Sequence, residues 1–398
     1  MITEVLCDKF GFQATTHERN LYRGTVNGAL VLVCRQVDDY AIASADPATA
    51  ETLISMINEH VTTSSQGIGT RYNGVDVEQT RDYVRLHCEV YIDRVLQTHG
   101  WETPSPNESD RHDIVPLTAD VSTQLNLLSG PAEGTPEHSA LATAAGFSFR
   151  QLLGELIYAY VICRLDIGYA VTFLSRFSTA PHADHYSALK RVCKYLRATK
   201  AWGIVYWRQA PVSLLPAVPL PYPSLDQDLP AFPRAELLDL VGYVDAAHAT
   251  DLKTRRSVSG MVFVLAGGAI AYKSKLQATV ATSSTEAEFI AAVSAAKLAK
   301  YLRSVLRELG FPPSGPTLIY EDNMATIAMV NENKPTTRSR HIDVQHFALQ
   351  EWRARGIVKL VYLATTINPA DQATKALGWI LHSRHARRAM GHYGRSDC

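Results

Sequence analysis

Four short acidic signatures, in a fixed order across residues 239–377, restrict what this chain can fold into more than any other feature. They are Asp245 in GYVDAAHATD, Glu288 in SSTEAEFIAA, Asp322 in LIYEDNMATIA and Asp371 in NPADQATKAL. Each carboxylate stands at the end of a strand-like run or in the first turns of a helix-like one. A sheet with flanking helices can therefore gather all four at one edge. Hard divalent ions such as Mg²⁺ want that oxygen-rich environment. Two-metal hydrolysis of a phosphodiester wants it too, with ions roughly 3.5–4 Å apart clamping the attacking and leaving oxygens. Taken singly, each acid also has an ordinary use as a turn residue, a first-turn carboxylate or a helix cap.

The elements around these acids follow from periodicity. LVGYVDA (240–246), VSGMVFVLAGG (258–268) and AIAYKS (269–274) are rich in apolar and β-branched residues, with Gly267-Gly268 marking a hairpin. From Ser283 the period becomes helical, with Ile290, Val293, Leu298, Leu302, Val305 and Leu309 on a stripe closed by Gly310 and Pro312. Ser283-Ser284-Thr285-Glu286 is a capping-box pattern, which gives Glu286 a local role and leaves Glu288, beside Ala292 and Ala295, as the metal-facing acid. TLIYED (317–322) reads as a strand, 323–330 as a short helix, 341–356 as a longer helix and IVKLVYL (357–363) as a strand.

The order β-β-β-α-β-α-α-β-α with these acids resembles ribonuclease H. The wording of GYVDAAHATDLKTRRSVSGMVF, SKLQATVATSSTEAEFIAA, YEDNMATIAM, SRHIDVQHF and PADQATKAL is similar to the ribonuclease H domain of copia-type retrotransposon polyproteins. The resemblance implies a ribonuclease H-like five-stranded mixed sheet over 239–378. It further implies that Asp245, Glu288, Asp322 and Asp371 hold two Mg²⁺ ions (or Mn²⁺ in their place) and cut the RNA strand of an RNA–DNA hybrid.

At 398 residues the chain has room for two or three domains with cores of their own. Its 46% apolar and 20% charged content is that of a folded globular protein rather than a disordered one. No apolar run reaches the ~18 residues of a spanning helix, and MITEVLCDKFGF lacks the layout of a secretory signal. An intracellular protein, cytoplasmic or nuclear, with no membrane partner is the expectation. Cysteines 7, 34, 88, 163, 193 and 398 form no CxxC unit, which argues against a zinc finger or disulfide framework. His182 and His185 have a weak metal-like spacing and read as surface residues.

Residues 1–101 read as an α+β unit. ALVLVC (29–34) and YAIAS (40–44) are strands joined by Gln36-Val37-Asp38-Asp39, and Asp46-Pro47 opens a helix to His60. Adjacent carboxylates at a hairpin tip can meet a metal and a triphosphate, or simply face solvent in a turn. With residues 74–101, this stretch resembles part of the palm of copia-type reverse transcriptases, and Asp38 and Asp39 stand where that family carries the aspartates of YVDD. Gln36 replaces the family's tyrosine. The family's third carboxylate lies upstream of the hairpin, where only Glu4, Asp8 and Glu18 precede Asp38 and none sits in a matching motif. The expectation is a partial palm without polymerase activity in this chain alone.

Residues 102–146, rich in Pro, Ser, Thr and acids, read as an exposed connector. Within residues 147–208, FRQLLGELIYAYVICRLDIGYAVTFLSRF (149–177) resembles the segment connecting polymerase and ribonuclease H. Lys190, Lys194 and Arg197 form a basic stripe suited to phosphates or to solvent. Trp202, Tyr206 and Trp207 read as buried rather than as base-stacking residues. Residues 209–238 hold seven prolines and read as an extended linker, giving an independently folding unit from about 239. Arg338, Arg340 and His341 are further candidate phosphate contacts, and 379–398 reads as a basic tail with a fraying helix.

The expected function is that of a retrotransposon reverse transcriptase/ribonuclease H fragment acting on RNA–DNA hybrids, with RNA, DNA and the rest of a polyprotein as partners. A catalytically idle, co-opted nucleic-acid binder and an integrase- or transposase-like enzyme of the same broad fold are the competing readings.

Overall fold

The computed structural model describes residues 2–104, 114–209, 238–331 and 340–392, with the side chains of 340–346 excepted. The first elements are a short helix α1 (Ile2–Glu4), strands β1 (Gln13–Ala14), β2 (Leu21–Val26), β3 (Ala29–Gln36) and β4 (Asp39–Ser44), and helix α2 (Pro47–Asn58). The strands form an antiparallel sheet in sequence order. Gln36 pairs with Asp39 across a two-residue turn in which Val37 takes a positive φ of 56°. Asp46 caps α2 by accepting from the Ala48 amide at 3.2 Å, and Pro47 opens the helix as expected. Leu53 and Ile57 of α2 pack with Tyr22, Val31 and Val33 into a small core of their own.

The chain then forms β5 (Arg71–Tyr72), β6 (Val75–Gln79), β7 (Tyr83–His87) and α3 (Glu89–His99). The segment expected as an exposed connector contains two helices instead, α4 (Ala119–Leu127) and α5 (Pro136–Ala145). Thr135 caps α5 by accepting from the His138 amide, and Leu117 and Leu125 enter the main core. A polar composition did not prevent order here, because a few apolar residues reach a surface that other helices leave open. Those helices are α6 (Phe149–Ile162), α7 (Gly168–Leu174) and α8 (Ala183–Ala198). His185 is fully buried rather than on the surface. Its Nδ1 accepts the His182 amide at 2.8 Å, which leaves Nε2 to donate to the Leu125 carbonyl at 3.1 Å. Strand β8 (Gly203–Trp207) returns to pair antiparallel with β7.

Beyond the proline-rich stretch, of which 210–237 lie outside the described residues, come β9 (Val241–Ala247), β10 (Val258–Leu265), β11 (Gly268–Leu276), α9 (Ser284–Leu309), β12 (Thr317–Glu321), α10 (Met324–Asn331), α11 (Arg340–Ala354), β13 (Val358–Tyr362) and α12 (Trp379–Ala389). The sheet order is β11-β10-β9-β12-β13, antiparallel across β11-β10-β9 and parallel across β9-β12-β13. This is the ribonuclease H-like mixed sheet expected from the order of elements. Alternation sends Val244, Met261, Phe263, Ile319 and Leu360 to one face, where the alanine-rich side of α9 covers them. Gly242 admits this packing: a Cβ there would sit 2.6 Å from the Phe263 ring.

The opposite face carries Val241, Tyr243, Val262, Val264 and Tyr320, which join the core built by α3 and α6–α8. Tyr272 donates to the Tyr160 carbonyl, and Tyr206 of β8 donates to the Ala269 carbonyl. Trp202, Tyr206 and Trp207 accordingly lie in packed positions, with the Trp207 indole donating to the Gly391 carbonyl. The unit expected from about 239 shares this core with earlier chain, since one face of its sheet is covered by residues from before that point. The expectation of a frayed basic tail is corrected. Ala386, Ala389 and Met390 are fully buried, and Arg384, Arg387 and Arg388 are each less than a tenth exposed. Residues 393–398 lie outside the described residues.

Candidate metal centre

Asp245 is the fifth of the seven residues of β9 and is 3% exposed. It sits opposite Gly260 of β10 in the antiparallel register. That glycine lets another segment come close, because a Cβ on it would lie 2.8 Å from the Ala370 carbonyl oxygen and 2.6 Å from Thr374. The segment is the 3₁₀ turn Asp371–Ala373, which carries the fourth acid. It is held from below by Asn368, whose amide donates to the Val244 carbonyl at 2.8 Å and whose oxygen accepts the Ala370 amide at 3.1 Å. The Thr374 hydroxyl donates to Asp245 Oδ2.

Glu288 lies in the second turn of α9. The Ser283 hydroxyl caps that helix by accepting from Glu286 N at 3.2 Å, and Glu286 turns back to accept the Thr282 amide at 2.8 Å. Glu286 therefore has the local role expected of it, while Glu288 faces inward and is 6% exposed. Asp322 follows the last residue of β12 and accepts from the Thr365 hydroxyl at 2.5 Å. One oxygen each of Asp245, Glu288 and Asp322 lies within 4.8 Å of the others. Asp371 is not a member of that trio, but its charge acts directly on Asp245, and its Oδ1 pairs with the Lys375 ammonium.

Two residues of this centre escaped the sequence analysis. Glu321, the residue before Asp322, is fully buried, with Oε2 lacking a hydrogen-bond partner and Oε1 accepting the Asn323 amide at 3.1 Å. Strand alternation is the signal that could have found it, because position 321 shares the α9 face with Ile319 and so turns a carboxyl toward Glu288. Lys375 follows Asp371 by one helical turn, a spacing that brings two side chains together.

Packing carboxyl groups this closely away from water favours their protonated forms. Burial, and then Asp371, pushes Asp245 up to about 7. Burial, then Glu321 and Asp245, pushes Glu288 up to about 11. Burial likewise holds Glu321 well above the usual carboxylate range. Asp371 is raised by burial against the opposing pull of Lys375. Burial alone would lower Lys375, but Asp245 and Asp371 outweigh it and raise it. A buried Glu288 oxygen also lacks any hydrogen-bond partner. Unpartnered oxygens on crowded acids are the donor set that a hard divalent cation relieves, so the residues present fit Mg²⁺.

The other candidate residues are placed differently. Asp38 and Asp39 are exposed at the β3–β4 tip and belong to no group of three candidate ligands among the described residues. Lys190 lies over the Trp101 ring at 5.1 Å, and Arg197 donates to the Trp101 carbonyl at 3.0 Å and the Thr103 carbonyl at 3.3 Å. Two members of the basic stripe thus hold the chain that leaves α3; the third, Lys194, is half-buried between them. Arg338 lies outside the described residues, as do the side chains of Arg340 and His341 at the start of α11. Among the described residues no helix is long and apolar enough to cross a membrane.

No protein-family model matches the chain. It is 28% identical over 349 residues to the retrovirus-related Pol polyprotein from transposon TNT 1-94 of Nicotiana tabacum, covering 87% of this chain and 23% of that protein. It is 27% identical over 279 residues to the corresponding polyprotein from transposon RE2 of Arabidopsis thaliana, covering 68% of this chain and 17% of that protein. The chain thus spans less than a quarter of the length of these curated relatives. Among solved structures, LC11-RNase H1 in complex with an RNA/DNA hybrid aligns with 34% of this chain and 94% of its own, at 10% identity and a TM-score of 0.26. The sequence relatives of this chain are thus retrovirus-related Pol polyproteins of plant copia-type transposons, and it carries the acidic motifs in their order on a ribonuclease H-like mixed sheet.

Proposed function

We propose that this chain hydrolyses the RNA strand of RNA–DNA hybrids, with Asp245, Glu288, Asp322 and Asp371 as ligands of two Mg²⁺ ions. The convergence of Asp245, Glu288 and Asp322 within one cation's reach carries this reading. When bound, the ions supply the Lewis acidity that generates a nucleophile from water and steadies the leaving oxygen. The protein's own part is positioning. Thr374 and Thr365 orient the carboxylates of Asp245 and Asp322, and Asn368 fixes the turn that delivers Asp371. Glu321 sets a further buried carboxyl group close to Glu288. Contacts of Arg338, Arg340 and His341 with phosphates would make hybrid binding fall as salt rises.

Polymerase activity is not part of the proposal. Asp38 and Asp39 offer two carboxylates on an exposed tip, with no third acid gathered beside them among the described residues. Incubating the chain with a labelled RNA–DNA hybrid and Mg²⁺ tests the nuclease reading. Cleavage confined to the RNA strand, and abolished by Asp322→Asn, is expected. No cleavage by the wild type would reject the reading in favour of a nucleic-acid binder without catalysis, and cleavage that survives the substitution would reject this acidic centre as its source.

A further inference from the structure

One turn of chain, NPADQATKAL, delivers three different groups to the same place: the Asp371 carboxylate, the Thr374 hydroxyl and the Lys375 ammonium. The ammonium pairs with Asp371 Oδ1 and acts electrostatically on Asp245, Asp322 and Glu288 as well. Its side chain is 43% exposed. Thus it is anchored at the mouth of the cluster rather than sealed inside it. Lysine suits such a place, being a compact point charge on a flexible four-carbon stem that can leave when a stronger cation arrives.

We infer that Lys375 is the built-in counter-cation of the metal-free centre, occupying Asp371 until a divalent ion displaces it. Divalent binding is then an exchange, in which an ion takes up Asp371 and the ammonium swings toward solvent. The inference rests on the metal-dependent reading above, and goes beyond it by assigning Lys375 a competing, positioning role that sets how readily the centre loads.

Titration of the full chain with Mn²⁺ alone, without nucleic acid, tests this through electron paramagnetic resonance of the free ion. Removing the competitor in Lys375→Met is expected to tighten Mn²⁺ binding by about tenfold or more, because a like charge no longer has to be expelled. Lys375→Arg, which keeps the charge, is expected to bind far closer to wild type than to Lys375→Met. A purely structural lysine would give equal or weaker binding in Lys375→Met, and that result would overturn the inference. Should Lys375→Met be unfolded in EDTA, its circular dichroism must recover in saturating Mn²⁺, and failure to recover would also overturn it. The two readings fail separately. A chain that cleaves hybrid while Lys375→Met leaves Mn²⁺ affinity unchanged rejects only the counter-cation. A chain that does not cleave, yet binds Mn²⁺ more tightly without Lys375, rejects only the nuclease.

Discussion

Asp245 and Glu288 show what a crowded acidic centre means for a single residue. Both hold their protons longer when folded than when unfolded. Between the unfolded carboxylate range and about pH 7 the unfolded chain therefore binds fewer protons than the folded one, and stability falls as pH rises through that window. In EDTA the melting temperature is expected to drop from pH 4 to pH 7, and Glu288→Gln should flatten the drop; a melting temperature that rises over this range would contradict the assignment. Saturating Mg²⁺ should reverse the loss, as any ligand of the folded state does. A different residue-scale case lies in the core. Arg164 and Asp166 are both fully buried, paired at 2.6 Å, and Asp166 also accepts from the Tyr195 hydroxyl at 2.7 Å. Asp166→Asn leaves an uncompensated buried guanidinium and is expected to cost about 3–5 kcal/mol in chemical denaturation. Asp245, Glu288 and Asp322, which the fold brings together, stood out in the sequence because each lies near the end of a strand-like run or in the first turns of a helix-like one. Glu321 did not, since an acid beside Asp322 reads as one more strand-end carboxylate until the strand's facing is known. Lys375 did not, since its meaning depends on a partner 130 positions earlier at Asp245.

At the scale of elements, the centre depends on backbone approach as much as on side chains. Gly260 has room for nothing larger than hydrogen between β10 and the Asp371 turn. Gly260→Val is expected to push that turn outward while the sheet persists, and a misplacement of about 1 Å is worth on the order of 10²-fold in rate. Hybrid cleavage by this variant at wild-type rate would show that the turn's position does not matter. The strands and the long α9 were readable, because alternation, a hairpin glycine pair and a Ser283 cap are local signals. Helices α4 and α5 were not read. Their apolar residues are sparse, and proline, serine and threonine dominate the surrounding composition. The Thr135-Pro136 start of α5 was the one clear cue, being a cap followed by a first-turn proline. Helix α12 was misread for a related reason, because a run of arginines and histidines signals exposure unless the packing around it is known.

For the molecule as a whole, the ribonuclease H-like sheet sits between two covers of different origin. Helix α9 covers one face, and the helices of 149–198 with β8 cover the other. A fragment beginning at 239 would uncover Val241, Tyr243, Val262, Val264 and Tyr320. At about 1.5–3 kcal/mol for each large apolar side chain, that loss is comparable to a whole domain's stability of about 5–15 kcal/mol. Such a fragment is expected to bind a hydrophobic dye and to melt without cooperativity, whereas a cooperative, dye-free fragment would show that the shared core is dispensable. This shared core was not readable in advance, because local periodicity says that a face is buried and not what buries it. On the proposed reading, acids from β9, α9, the end of β12 and the Asp371 turn form one cage for paired divalent ions. Anomalous scattering from crystals soaked in Mn²⁺ tests it most directly. Two peaks among Asp245, Glu288, Asp322 and Asp371 are the expected result; a soaked crystal with no peak there, or with manganese bound elsewhere, would contradict it.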